Sequence, residues 1–112
     1  MAYYFIVTVY YEPGKEAKAA SLYQAYIRDV RPIVEQFGGR YLVRTEDITC
    51  LSREWNPDRV IVIAFPNREQ LEACFASEAY GKIKSRWEDS VRSMAVIVPG
   101  TGAPEQGEET HP

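Results

Sequence analysis

Apolar residues form four short runs along the chain, and the two longer segments between them have a helical period. Tyr3 to Tyr11 is rich in β-branched and aromatic residues and ends at Glu12-Pro13-Gly14, a turn sequence. Arg59 to Phe65 and Ser93 to Val98 have the same character, and Arg40 to Thr45 is a shorter run. We predict that these four runs are the strands of one sheet.

The segment from about Lys15 to Phe37 has apolar residues at steps of three and four, which predicts an amphipathic helix. Its apolar stripe consists of Ala19, Leu22, Tyr23, Tyr26, Val30, Ile33 and Phe37. Pro32 removes one backbone hydrogen bond within this helix, so we expect a kink or a break near Asp29 to Arg31. Gly38 is expected to end the helix, because glycine accepts a positive φ without a Cβ clash.

A second helical segment follows the third strand. Asn67 occupies an N-cap position with Gln70 three residues later, and Ser77 is a second capping residue for a helix that continues. The apolar stripe is Leu71, Cys74, Phe75, Tyr80, Ile83 and Trp87, with Val91 as a possible end. The order β, α, β, β, α, β predicts an α+β fold: a ferredoxin-like antiparallel sheet with two helices on one face.

The length of 112 residues is that of one domain. We predict a single ferredoxin-like domain over residues 1–98 and a flexible acidic tail over residues 99–112, which has almost no apolar residue to bury. Two helices cover only one face of the sheet, yet three strands are apolar on both faces. We therefore predict an obligate homodimer that packs sheet against sheet as a dimeric α/β barrel.

The net charge of −3 is carried by the tail, which holds three of the 16 acidic residues and leaves 13 acids against 13 bases in the body. A neutral body argues against nucleic acid as a partner. The apolar runs are far shorter than the roughly 18 residues of a membrane helix, so no membrane span is predicted. Two cysteines and no signal peptide predict a cytoplasmic protein with reduced thiols.

Several short segments, taken in order, resemble a known family. They are Tyr26 and Pro32 in the first helix, Phe37-Gly38-Gly39-Arg40-Tyr41-Leu42-Val43-Arg44, Pro57-Asp58-Arg59-Val60, Phe65-Pro66-Asn67 and Ser77-Glu78-Ala79-Tyr80. The family is a domain of unknown function, numbered thirteen-thirty, within the dimeric α/β-barrel superfamily, and the resemblance covers roughly residues 3 to 98. It implies a ferredoxin-like protomer and a sheet-to-sheet dimer. It supplies no reaction, since the superfamily includes cofactor-free monooxygenases, haem enzymes and isomerases.

Few residues of the sequence are suitable for metal, haem or thiol chemistry. His111 is the only histidine and belongs to the predicted tail, so neither a haem ligand nor a zinc cluster is available in the body, and no cofactor is predicted. Cys74 lies on an apolar helix face, as a small core residue would. Gly38 and Gly39 lead into a strand, whereas a phosphate-binding loop should open a helix.

The remaining candidates for a binding site are aromatic and cationic. The candidate ligand-binding residues are Tyr23, Tyr26, Arg44, Trp55, Tyr80 and Trp87. We expect Leu42 and Arg44 on one face of their strand, with Tyr41 and Val43 on the other, and Arg44 to bind a carboxylate or enolate oxygen. The alternative is that the aromatic residues fill the core and that the arginine is a solvated guard on an edge strand.

Our leading hypothesis is a small homodimeric α/β-barrel protein that binds a small aromatic or anionic molecule between helices and sheet, with cofactor-free chemistry as an open option. The alternative is a non-catalytic dimerisation or interaction module with a filled core. Whether the protein is an enzyme stays open, and no catalytic residue is assigned. An RNA-recognition module shares the element order but needs basic residues beside its strand aromatics, which are absent here.

Overall fold

The protein folds as an antiparallel four-stranded sheet with its helices packed on one side. The computed structural model describes residues 2–85 and 91–101. The elements are β1 Tyr3–Tyr11, α1 Glu16–Gln36, β2 Arg40–Thr45, β3 Arg59–Phe65, α2 Arg68–Ala76, α3 Glu78–Lys84 and β4 Val91–Pro99. The strand order is β2-β3-β1-β4. The predicted α+β, ferredoxin-like architecture is therefore confirmed.

Helix α1 ends as predicted but is not broken at its proline. It runs through Pro32 to Gln36, so the break given as one option is absent, while the kink stays a prediction. Gly38 has a φ of +84° and its N–H donates to the carbonyl of Glu35 at 3.0 Å, while the N–H of Gly39 donates to Val34 at 2.8 Å. This pair of bonds is a Schellman motif, which satisfies the last carbonyls of the helix and turns the chain into β2.

The second helical segment is two helices rather than one. Asn67 caps α2 as predicted, since its Oδ1 accepts from the N–H of Gln70 at 2.8 Å. Ser77 ends α2 with an extended ψ of 151° and also caps α3, where its Oγ accepts from the N–H of Tyr80 at 3.2 Å. The described part of the chain thus holds three helices, and the predicted count of two is wrong because the backbone of Ser77 leaves the helical region.

The last strand is longer than predicted at both ends. Val91, predicted as a possible end of the helical stripe, is a strand residue that pairs with Tyr11. At the other end the strand reaches Pro99, and the N–H of Gly100 donates to the carbonyl of Ala2 at 2.7 Å. Residues 102–112 lie outside the described residues, so the domain boundary at residue 98 and the flexible tail stay predictions.

The two faces of the sheet differ in cover although both are apolar. On the helix side, the fully buried side chains are Val9, Val34, Phe65, Leu71 and Cys74. The other face is open, and the strand register places Val43, Val62, Ile6 and Val96 in one row across it. On this face Val96 and Met94 are each 55% exposed, which is the uncovered apolar surface predicted from the strand sequences.

A bulge in β2 changes the direction of Arg44. Tyr41 pairs with Ile63 and Arg44 pairs with Ile61, so three steps along β2 match two steps along β3. The extra residue shifts the alternation of side chains, and the expected placement of Arg44 on the face opposite to Tyr41 is wrong. Both residues lie on the helix side, with the guanidinium of Arg44 5.0 Å from the ring centroid of Tyr41.

Candidate ligand-binding site

A cavity of about 320 Å³, which we call the chamber, lies between the helices and the sheet. The aromatic side chains that line it are Phe5, Tyr23, Tyr26, Tyr41, Phe75 and Tyr80. On the β4 side it is lined by the exposed residues Ser93 and Ala95, so the chamber reaches the surface there. Its volume and its mostly apolar walls, with a few hydroxyl groups and the side chain of Lys84, are typical of a site for a small organic molecule.

Tyr26 and Tyr80 form the main polar point of the chamber. The Tyr26 hydroxyl donates to the Tyr80 hydroxyl at an O–O distance of 3.2 Å, and their rings meet edge to face at 69°. Helix α1 carries Tyr26, while the cap at Ser77 starts α3 so that Tyr80 points inward and is only 8% exposed. Burial raises the pKa of Tyr26 far above its ordinary value, so this phenol stays neutral and able to donate.

Tyr23 connects the chamber to a group of charged residues at the end of the sheet. Its ring is 2% exposed, and the guanidinium of Arg59 lies 5.2 Å from the ring centroid. Glu46 joins this group, because its Oε2 accepts from the Tyr11 hydroxyl at 2.6 Å and lies 3.3 Å from a terminal nitrogen of Arg59. The hydrogen bond from Tyr11 lowers the pKa of Glu46, and burial raises that of Tyr11 to about 12.

Arg44 lies outside the chamber, in a neighbouring groove of about 370 Å³ between α1 and β2. We call it the arginine groove; it is lined by Gln24, Ile27, Arg28, Arg31, Arg44 and Arg59. Ile27 lines both the groove and the chamber, so its side chain is part of the wall between them. The structure therefore brings Tyr23, Tyr26 and Tyr80 together and places Arg44 next to them.

Of the two tryptophans of the predicted site, Trp55 is not part of this arrangement. Trp55 is 61% exposed and lies in the β2–β3 connection, beside a third cavity of about 280 Å³. This cavity, the loop pocket, is lined by Ile48, Thr49, Cys50, Leu51, Ser52, Trp55, Pro57 and Val60. Trp87 lies outside the described residues. The assignment of all six candidates to a ligand stays a prediction.

Sequence reasoning missed several residues of the chamber and its surroundings. Tyr41 lines the chamber, and its place two residues after Gly39 was a usable signal, because the glycine turn sets the strand against the buried end of α1. Tyr11, Glu46 and Arg59 meet across separations of more than ten residues along the chain. No local pattern marks such a group, since each member belongs to a different strand or connection.

The described residues contain no group of three or more histidine, cysteine, aspartate or glutamate side chains that could hold a metal ion. Cys74 is buried and its pKa is raised to about 11 by that burial, whereas Cys50 is exposed. Both cysteines are free thiols. Within the same residues, no helix combines the length and apolar character needed to cross a membrane.

The hydrogen bond between Tyr26 and Tyr80 predicts that the effects of replacing them on the free energy of unfolding are coupled. Tyr26→Phe and Tyr80→Phe should each lower the free energy of unfolding by about 1 kcal/mol, because each removes one half of a part-buried hydrogen bond. The double variant should lose less than the sum of the two, since the shared bond is removed only once. Urea denaturation followed by circular dichroism measures all three values. Strictly additive losses would contradict the bond.

The buried tyrosines also predict a loss of stability at alkaline pH. Burial raises the pKa of Tyr11 and of Tyr41 from 10.0 to about 12, so the unfolded chain releases these protons first. Their stabilising contribution is therefore complete below about pH 10 and lost as the pH rises towards about 12. Urea midpoints should fall across this window, and less steeply in Tyr41→Phe. A midpoint that stays constant up to about pH 11 would refute the assignment.

The chain belongs to the family described as "Domain of unknown function (DUF1330)", whose pattern it matches over residues 6–101. This confirms the resemblance carried by the glycine turn and the other short segments. The family description assigns no activity. No curated protein matches the chain.

Solved structures with the same fold include proteins of different descriptions. A protein of unknown function from Rhodopseudomonas palustris has 17% identity, covers 91% of this chain and 84% of its own, and has a TM-score of 0.73. A dimeric ferredoxin-like protein of unknown function from Jannaschia sp. has 10% identity, coverage of 89% and 100%, and a TM-score of 0.73. SnoaB, a cofactor-independent oxygenase from Streptomyces nogalater, has 9% identity, coverage of 91% and 95%, and a TM-score of 0.60. At these identities the likeness establishes the fold alone.

Proposed function

We propose that the protein is a homodimer that binds a small aromatic or anionic molecule in the chamber. The observation that carries this proposal is the chamber itself, because a protein with a purely structural core fills such a space with side chains. Its aromatic walls suit a flat apolar body, and the hydroxyls of Tyr26 and Tyr80 suit a polar substituent.

The open face of the sheet supports the dimer. It exposes Val43, Met94 and Val96, and soluble monomers seldom leave such a patch uncovered. A two-fold axis covers it with a second copy of the same surface. The Jannaschia neighbour is described as dimeric, which supports the same assembly for this chain.

Cofactor-free chemistry is an option within this proposal, and the description of SnoaB as a cofactor-independent oxygenase supports it for the shared fold. The chamber offers neutral phenols, which can hold an oxygen atom of a bound molecule by hydrogen bonds. No residue is assigned a catalytic role. The cytoplasmic location stays a prediction.

One observation favours the alternative of a non-catalytic interaction module. Leu51 is 95% exposed and Trp55 61% exposed, and both line the loop pocket. Exposed apolar patches mark surfaces where a protein binds another protein. In this alternative the β2–β3 connection binds a partner protein, and the chamber holds no ligand.

A panel of neutral aryl amides, beginning with benzamide, tests the proposal by calorimetric titration. Ala95 lines the chamber, so Ala95→Leu should fill part of it and weaken binding at least about tenfold, which is a loss of about 1.4 kcal/mol. Ala79→Leu is the matched control, because Ala79 is exposed on α3 and does not line the chamber. Equal weakening by both variants, or no binding by any member of the panel, would count against the chamber.

A further inference from the structure

The arginine groove concentrates positive charge beside the chamber. Arg28 and Arg31 reach it from one face of α1, Arg44 from β2 and Arg59 from β3. The other two lining residues, Gln24 and Ile27, carry no charge. Four guanidinium groups around one groove repel one another unless anions lie between them.

Carboxylates of the protein compensate this charge only in part. Arg28, Arg31 and Arg59 have a carboxylate oxygen at 3.4, 3.0 and 3.3 Å, from Asp29, Glu35 and Glu46 respectively. Arg44 forms no ion pair with any residue in the described ranges, and it is exposed. Among the four arginines of the groove, its guanidinium is therefore the one best placed to meet an anion from outside, while Lys84 is a separate cation that lines the chamber.

Arg59 adds a fixed positive charge to the floor of the groove. Its side chain is only 14% exposed, and its Nε is a buried donor with no hydrogen-bond partner among the residues described. A buried guanidinium acts through a lower effective dielectric than an exposed one, so it strengthens the potential felt by a nearby anion. Glu46 is itself about half exposed and neutralises this charge incompletely.

The groove and the chamber are neighbours that share Ile27 as a lining residue. Tyr41 lines the chamber and carries Arg44 5.0 Å from its ring centroid, and Tyr23 lines the chamber and carries Arg59 5.2 Å from its centroid. A chain of about three or four single bonds, each about 1.5 Å long, is as long as each of these two contacts. A ligand that occupies both the chamber and the groove therefore needs a tether of at least this length, which would pass beside Ile27.

We infer that the arginine groove is the oxyanion subsite of the chamber, and that the ligand is an aryl carboxylate whose ring lies against Tyr26 and Tyr80 and whose carboxylate binds Arg44. This rests on the proposed function and narrows its ligand class from aromatic or anionic to both at once. A guanidinium binds a carboxylate through two parallel hydrogen bonds, which fix the orientation of the carboxylate and also stabilise its charge. The groove lies on the helix side of the sheet, so the proposed dimer leaves it accessible.

Phenylbutyrate and its neutral amide, phenylbutyramide, test the subsite by calorimetric titration of the full chain. The carboxylate should bind at least about tenfold more tightly, since a charged hydrogen bond contributes more than a neutral one. Arg44→Gln should remove this preference, mainly by weakening the binding of the carboxylate. Arg68→Gln is the control: Arg68 is an exposed arginine on α2, outside the groove, and the preference should persist.

The outcomes separate the subsite from the chamber. If the amide binds as tightly as the carboxylate, or if Arg44→Gln keeps the preference, the subsite is wrong while the chamber stands. If neither compound binds, the subsite and the chamber as a binding site are both contradicted. Added salt should reduce the preference towards unity by screening the exposed guanidinium, with little effect on the amide. A preference that does not respond to salt would also overturn the role of Arg44.

Discussion

Replacing Gly39 by alanine is expected to lower the free energy of unfolding by about 3 kcal/mol, because the added methyl group has no space. A Cβ at this position would lie 2.5 Å from Cγ1 of Val34 and 2.9 Å from Cε1 of Phe65. Both neighbours are core residues, at 0% and 1% exposure, so neither moves away without displacing others. Urea denaturation of the variant measures the loss.

Alanine substitutions at two other glycines distinguish this steric effect from an effect of backbone conformation. Gly14 has a φ of +84° with no atom within 4 Å of an added Cβ, so Gly14→Ala should cost only about 1 kcal/mol through the left-handed backbone. Gly81 lies inside α3 with equally open space, and Gly81→Ala should stabilise by about 0.5–1 kcal/mol. A Gly39→Ala variant as stable as the wild type would show that the turn is not packed as described.

Val96→Glu is expected to convert the proposed homodimer into monomers, raising the dissociation constant at least about 100-fold. Val96 is 55% exposed and lies at the β4 end of the apolar row of the open face, beside Ile6. In a two-fold interface the substitution places two like charges in one apolar layer, and burying an unpaired carboxylate costs several kcal/mol. Sedimentation equilibrium measures the change.

The matched control is Leu22→Glu. Leu22 lies on α1, on the helix side of the sheet, and is 37% exposed, so the same type of substitution there should leave the dimer intact. If Leu22→Glu dissociates the protein equally, the effect is one of stability and not of the interface. A wild-type protein that sediments as a stable monomer would contradict the proposed dimer.

The features that were predictable from the sequence have local causes. The continuous apolar character of Tyr3–Tyr11 and Arg59–Phe65 indicated strands with two apolar faces, and the structure has both faces apolar and one of them open. Gly38 ended α1 and Asn67 capped α2 where predicted, since capping depends on the backbone preferences of one or two residues.

The features that were not predictable depend on contacts between distant segments. The bulge in β2 has no local signal, because its cause is the pairing of β2 with β3, and it alone moves Arg44 to the helix side. Likewise the sequence predicts only that Arg59 is the first residue of a strand. Its contacts with Tyr23 and Glu46 depend on the fold. The chamber was therefore anticipated through its helical tyrosines, whereas the charged groove beside it was not.

The location of a bound aryl amide tests the central claim most directly. Nuclear Overhauser contacts between the ring protons of the amide and the ring protons of Tyr26 and Tyr80 are expected, because both side chains line the chamber. The loop pocket is the competing apolar site, and it carries Trp55 and Leu51. Contacts to those two residues, with none to Tyr26 or Tyr80, would contradict the account.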